Sequence, residues 1–102
     1  MQIRKTDNER ILEIAKKSFK TPIEIWAFGS RIKQTATEGS DLDLVIINKS
    51  NNNNQINRYI TIFKENLRHS NIPIFVQVFE WDAIPVNYKE EINKKHEVYF
   101  KN

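Results

Sequence analysis

Ile23-Glu24-Ile25-Trp26-Ala27-Phe28-Gly29-Ser30-Arg31, followed after residues 32–39 by Ser40-Asp41-Leu42-Asp43-Leu44-Val45-Ile46-Ile47, is the stretch that decides how this chain folds. Its first six residues alternate. Ile23, Ile25 and Ala27 share one face of an expected strand, with Trp26 and Phe28 on the other. The segment from Leu42 to Ile47 is rich in β-branched residues and reads as the clearest strand. Its Leu42, Leu44 and Ile46 would face a core, which leaves Asp41 and Asp43 on the reverse side.

Both glycines of the chain, Gly29 and Gly39, flank the connection between these strands. Glycine serves where the backbone needs a positive φ or where another group must approach closely. Gly29 directly follows a strand and precedes a possible short helix over residues 30–34. That arrangement offers free backbone N–H groups to a phosphate, and Ser30 adds a hydroxyl donor. Asp41 and Asp43 are two apart, so their carboxylates converge and repel. A divalent cation such as Mg²⁺ relieves that conflict and is commonly completed by substrate phosphates and water. Taken singly, each feature has an ordinary reading: a turn, and a solvated strand entrance. Taken together, on strands expected to be neighbours, they fit one ligand, a nucleoside triphosphate with Mg²⁺.

Outward from this stretch, the N-terminal segment reads as a helix with Ile11, Leu12, Ile14, Ala15 and Phe19 along one stripe. Thr6 or Asp7 is expected as its N-cap, and Thr6 with Glu9 as a capping box. Pro22 ends it. Four asparagines at positions 51–54 read as a surface loop. Residues 55–69 form a second helical pattern with Ile56, Tyr59, Ile60, Phe63 and Leu67 on one side. Pro73 precedes a third strand over residues 74–79. A last helix over residues 87–95 and a short extended piece, Val98-Tyr99-Phe100, complete the chain. The order is helix, strand, strand, helix, strand, helix. It predicts an α+β, two-layer architecture with helices packed on one face of a small sheet.

Length and composition set the bounds. A chain of 102 residues is read as one domain with one modest core. Hydrophobic residues make up 39% and charged residues 28%, an ordinary balance for a globular protein, and no apolar run is long enough to span a bilayer. Cysteine is absent, which excludes disulfides and thiolate metal sites and is compatible with a cytoplasmic location. The formal charge of +3 allows an anionic ligand but is too small to argue for nucleic-acid binding, and no basic stripe or stacking pattern is visible.

Gly29-Ser30, ten intervening residues, then Asp41-x-Asp43 resembles the signature of the polymerase-β-like nucleotidyltransferase superfamily. Phe28-Gly29-Ser30-Arg31, Ser40-Asp41-Leu42-Asp43-Leu44, the segment from Pro73 to Trp81, Tyr88 and Ile92 are similar to its minimal (MNT) branch. The resemblance implies a small mixed β-sheet with helices on one face and the active site on the other. It implies that Ser30 and the Gly29 backbone bind the β- and γ-phosphates of ATP and that Asp41 and Asp43 hold Mg²⁺. Arg31 is a further candidate phosphate contact. The implied reaction is attack of an acceptor hydroxyl on the α-phosphorus with release of pyrophosphate. Minimal nucleotidyltransferases are often paired with a HEPN-domain protein in toxin–antitoxin modules, so the resemblance also implies a partner of that kind, with oligomerisation left open.

One position departs from the pattern. A third acid is usual on a later strand, and alignment puts Gln77 there. Glutamine can hydrogen-bond a water or ligand but cannot act as a general base. Glu80 lies three residues on, which strand alternation turns to the opposite face. Two readings therefore stand: an adenylyltransferase acting on a partner protein, and a weak or inactive nucleotide-binding antitoxin that works by binding. Trp26 and Trp81 read as core or interface aromatics, His69 and His96 as structural, and Lys16, Lys17, Lys94 and Lys95 as solvated faces.

Overall fold

The computed structural model describes residues 3–29, 41–50 and 55–102. Strand β1 (Ile23–Phe28) realises the alternation: Ile23, Ile25 and Ala27 are buried, and Glu24, Trp26 and Phe28 are half-buried on the reverse face. Strand β2 (Leu42–Asn48) runs antiparallel to it, with Ile23 opposite Asn48 and Phe28 opposite Asp43. Leu42, Leu44 and Ile46 are buried on the face they share with Ile25 and Ala27.

Helix α2 (Ile56–Arg68) then carries the chain across, so that β3 (Val76–Glu80) lies parallel to β2. Parallel neighbours need such a crossover, because a tight turn can only reverse direction. The entry to β3 is pinned at its start: the Leu42 amide donates to the Phe75 carbonyl at 2.9 Å. Strand β4 (Glu97–Lys101) pairs antiparallel with β1, with an irregular register between Ile25 and Trp26. The strand order is β3-β2-β1-β4, a mixed sheet.

Helix α1 (Lys5–Ser18) and α2 cover one face. Ile11, Ala15, Phe19, Ile56, Ile60 and Phe63 meet the inward side chains of β1 and β2 in one cluster. Burying each large apolar side chain contributes roughly 1.5–3 kcal/mol. Phe19 and Phe63 tilt against one another at 5.2 Å between ring centroids. Buried Ser18 is satisfied: its hydroxyl donates to the Ile14 carbonyl at 2.7 Å and accepts from the Asn66 amide at 3.2 Å.

Helix α3 (Val86–Lys94) follows a 3₁₀ turn at Trp81–Ala83. The residues on either side of it reach Trp26, on the sheet face opposite the core. His96, whose Nδ1 lies 2.7 Å from the Ile92 carbonyl, stacks on Trp26 at 3.9 Å. Trp81 meets Trp26 edge-on at 5.6 Å, and Lys89 lies over Trp81. These contacts give Trp26, Trp81 and His96 the structural role expected of them, whereas Tyr88 is exposed.

The sequence reading needs correction at three places. The first helix begins at Lys5 with Arg4 at its N-cap and no side-chain cap, so Thr6 and Asp7 lie inside the first turn and the expected capping box is not formed. The third strand starts at Val76, because Ile74 and Phe75 belong to the approach rather than to the ladder. The sheet has four strands, because the extended piece at Val98-Tyr99-Phe100 becomes β4 by pairing with β1, far away in sequence. Among the described residues, no helix is long and apolar enough to cross a membrane.

Candidate active site

The β-sheet delivers three positions to one row. Phe28 ends β1 opposite Asp43, and Asp43 is paired in parallel register with Gln77 on β3. Paired residues on neighbouring strands share a face. Asp43 and Gln77 therefore stand side by side on the face opposite the core of α1 and α2. Both are half-buried, while Asp41, just before β2, is exposed.

Gly29 completes the row. Its φ is +86°, in the region that favours glycine. Its backbone also lies against the acid: a Cβ added there would sit 2.5 Å from Asp43 Oδ2 and 3.4 Å from its Cγ. The β1 turn and the acidic start of β2 are thus in direct contact. Sequence spacing predicted that adjacency.

Electrostatics mark Asp43 as the strained member. Burial pushes its carboxyl above the ordinary value, and the negative charge of Asp41 adds to the effect. A cation at this pair would offset both penalties. The donor set fits Mg²⁺, which takes one or two carboxylates and completes its shell with phosphate oxygens and water. Among the described residues, no group of three or more His, Cys, Asp or Glu is placed to hold a metal. The described acids at this place are the pair Asp41 and Asp43.

Glu80 does not join Asp41 and Asp43. It is paired with Ile46, one of the core-facing residues of β2, and lines a groove with Ile56, Ile60 and Asp82 on the α2 side. Alternation along β3 accounts for this, since positions 77 and 80 differ by an odd number of residues.

One feature of this face escaped sequence reasoning. The rings of Phe28 and Phe79 meet across β2, with centroids 5.7 Å apart, beside Val45, which is fully buried. With Trp26, which is paired with Val45, they place apolar rings on the face that carries Asp43. Alternation puts Phe79 on the face of Gln77, two residues before it, but only the sheet order brings it to Phe28. Ser30, Arg31, Gly39 and the expected short helix over residues 30–34 lie outside the described residues, as do the asparagines at positions 51–54.

The chain belongs to the nucleotidyltransferase domain family, which matches it over residues 9–101. Among curated proteins it is similar to "Probable protein adenylyltransferase MntA" of Haemophilus influenzae (strain ATCC 51907 / DSM 11121 / KW20 / Rd). The two are 34% identical over 74 residues, which cover 72% of this chain and 62% of the relative. The match thus spans less than two thirds of that relative's length. Among solved structures, a chain of "Crystal structure of the toxin-antitoxin with AMP-PNP" superposes with a TM-score of 0.69, over 93% of this chain and 73% of the other, at 14% identity. That likeness establishes the shared fold.

Proposed function

We propose that the chain binds ATP with Mg²⁺ and transfers AMP to a hydroxyl of a separate partner protein, in the manner of a toxin–antitoxin antitoxin. The observation that carries this reading is the contact of the Gly29 turn with Asp43, which supports one site for the phosphates and the metal. The naming of the Haemophilus relative as an adenylyltransferase supports the chemistry, and the toxin–antitoxin setting of the structural neighbour supports a protein partner. The family resemblance points to a HEPN-domain protein as that partner and to the cytoplasm as the place.

The roles are those the family resemblance implies. In this reading the Gly29 backbone, Ser30 and Arg31 hold the β- and γ-phosphates. Asp41 and Asp43 are the metal ligands, and the bound ion would neutralise charge developing on the phosphates. The acceptor oxygen forms a bond to the α-phosphorus while the bond from that phosphorus to the β-phosphate bridging oxygen breaks. Pyrophosphate leaves, and the hydroxyl proton passes to solvent. Phosphoryl-group chemistry of this kind depends mostly on positioning and electrostatics, which a rigid sheet row supplies.

A second reading is favoured by Gln77. A neutral amide beside Asp43 cannot serve as a base, so the protein would hold nucleotide and act on its partner by binding alone. Intact-mass spectrometry separates the two. The chain and the protein encoded beside it are co-expressed and given Mg²⁺ and ATP, with an Asp43→Asn variant in parallel. A nucleotide-sized mass gain on the partner, lost in the variant, is the expected result for transfer. A stable complex with no mass gain supports the binding reading. Neither complex nor mass gain refutes both.

A further inference from the structure

We propose that β3 forms a homodimer interface: two copies of this chain pair antiparallel along their β3 edges and join two four-stranded sheets into one. This pairing needs neither nucleotide nor metal and stands apart from the function proposed above.

Strand β3 ends the sheet, with β2 on one side of it only. Because the Leu42 amide donates to the Phe75 carbonyl, alternation turns the N–H and C=O groups of Val76, Val78 and Glu80 away from β2. Proteins blunt such an edge with lysine, proline or a bulge. The other edge strand, β4, carries Glu97 and Lys101 and an irregular register. Strand β3 reads Val76-Gln77-Val78-Phe79-Glu80, in unbroken register with β2 and with neither lysine nor proline. Apolar surface lies along it: a groove between α2 and β3 is lined by Leu67, Ile72, Ile74, Val76 and Val78, and Phe75 beside them is 64% exposed.

Charge selects the occupant. At the start of β3, Lys64 rims that groove and has no ion pair among the described residues, whereas Arg68 is bound to Glu65, which also lies beside His69. At the end of β3, Glu80 and Asp82 rim a second groove under the start of α2. Neither acid has an ion pair among the described residues, and Lys89 there lies over the Trp81 ring. The edge is thus basic at one end and acidic at the other, and a second copy turned about a two-fold axis presents the reverse order. With Gln77 on the axis, Val76 hydrogen-bonds Val78 of the second copy, and Phe79 stands opposite its Phe75. Glu80 and Asp82 come level with its Ile74 and Ile72, which line the groove that its Lys64 rims. A parallel arrangement would set like charges against each other. Gln77 shares its face with Asp43, so the dimer carries both Asp43 rows on one surface.

Analytical ultracentrifugation of the full chain without nucleotide measures its mass in solution, and circular dichroism verifies that each variant is folded. The wild type is expected at twice the chain mass, dissociating on dilution and more readily at high salt. Val76→Pro removes an N–H that points away from β2, a change an edge strand tolerates, and is expected to weaken the dimer about tenfold or more. Lys64→Glu, exposed on α2, is expected to weaken it as well, and Lys64→Glu with Asp82→Lys to restore it. The chain has no cysteine, so oxidation of Gln77→Cys is expected to link two copies across the axis. A wild type that is monomeric at every concentration overturns the proposal. A dimer left unchanged by the folded Val76→Pro or Lys64→Glu variant, or a Gln77→Cys dimer that does not link, places the interface elsewhere and overturns it too. A monomer whose complex with the protein encoded beside it is lost in Val76→Pro gives the edge to that partner, and self-pairing fails.

Discussion

Replacing Gly29 with alanine isolates the contact on which the site is built. Two costs combine. A residue with a Cβ held at a φ of +86° loses about 1–2 kcal/mol against its preferred conformations. The new Cβ would also lie 2.5 Å from Asp43 Oδ2, closer than non-bonded atoms tolerate. The carboxylate is the far end of a side chain, so it can rotate aside, but it then leaves the position from which it binds a cation. The expected loss of stability is at least the backbone cost of about 1–2 kcal/mol. For a domain near this size, that corresponds to a fall in Tm of roughly 4–16 °C. Urea denaturation followed by circular dichroism measures it. A double-mutant cycle with Asp43→Ala separates the two costs: the alanine methyl meets no carboxylate in that background, so only the backbone cost should remain. Binding should suffer more than stability, with Mg²⁺–AMP-PNP affinity in Gly29→Ala falling at least tenfold. A Gly29→Ala protein within about 0.5 kcal/mol of the wild type, which is ordinary for surface changes, would refute the reasoning.

Two further outcomes are expected. Because Asp43 is raised above its ordinary value of 3.8, its contribution to stability is fully present below that value and is lost as the pH rises through the raised folded value. In EDTA at neutral pH, Asp43→Asn should therefore be at least as stable as the wild type, and Mg²⁺ with ATP should raise the Tm of the wild type alone; an equal rise in both would remove Asp43 from the metal site. Phe63→Ala should cost about 3–5 kcal/mol, since Phe63 is fully buried against Phe19, and a cost under 1 kcal/mol by urea denaturation would contradict the packing of α2 on the sheet.

The site was legible to different depths at different residues. Gly29 stood out because the chain has only one other glycine, and Asp41 and Asp43 because two like charges on one strand face call for a cation. Gln77 was found by alignment to a pattern, and its register beside Asp43 came only with the parallel pairing of β2 and β3. The Phe28–Phe79 contact was invisible because it joins side chains from two strands across a third.

The sequence by itself determined the elements and their inward faces. Alternation in Ile23–Phe28 and Leu42–Asn48 and the apolar stripes of α1 and α2 are local patterns, and burial follows them. It also singled out Gly29, Asp41 and Asp43 as candidate site residues, because paired acids and a strand-end glycine are local features too. Only the tertiary structure decided the sheet order, the recruitment of Glu97–Lys101 as the strand beside β1, and the docking of His96 and Trp81 on Trp26. These depend on pairing between segments far apart in the chain, whose hydrogen bonds are set by the whole sheet rather than by any local preference. The same holds for the start of α1: Thr6 and Glu9 formed a plausible capping box on paper, yet the helix begins at Lys5, with Ile11, Ala15 and Ser18 buried along it. Packing of that buried stripe against α2 and the sheet outweighs an end-cap contribution of about 1 kcal/mol.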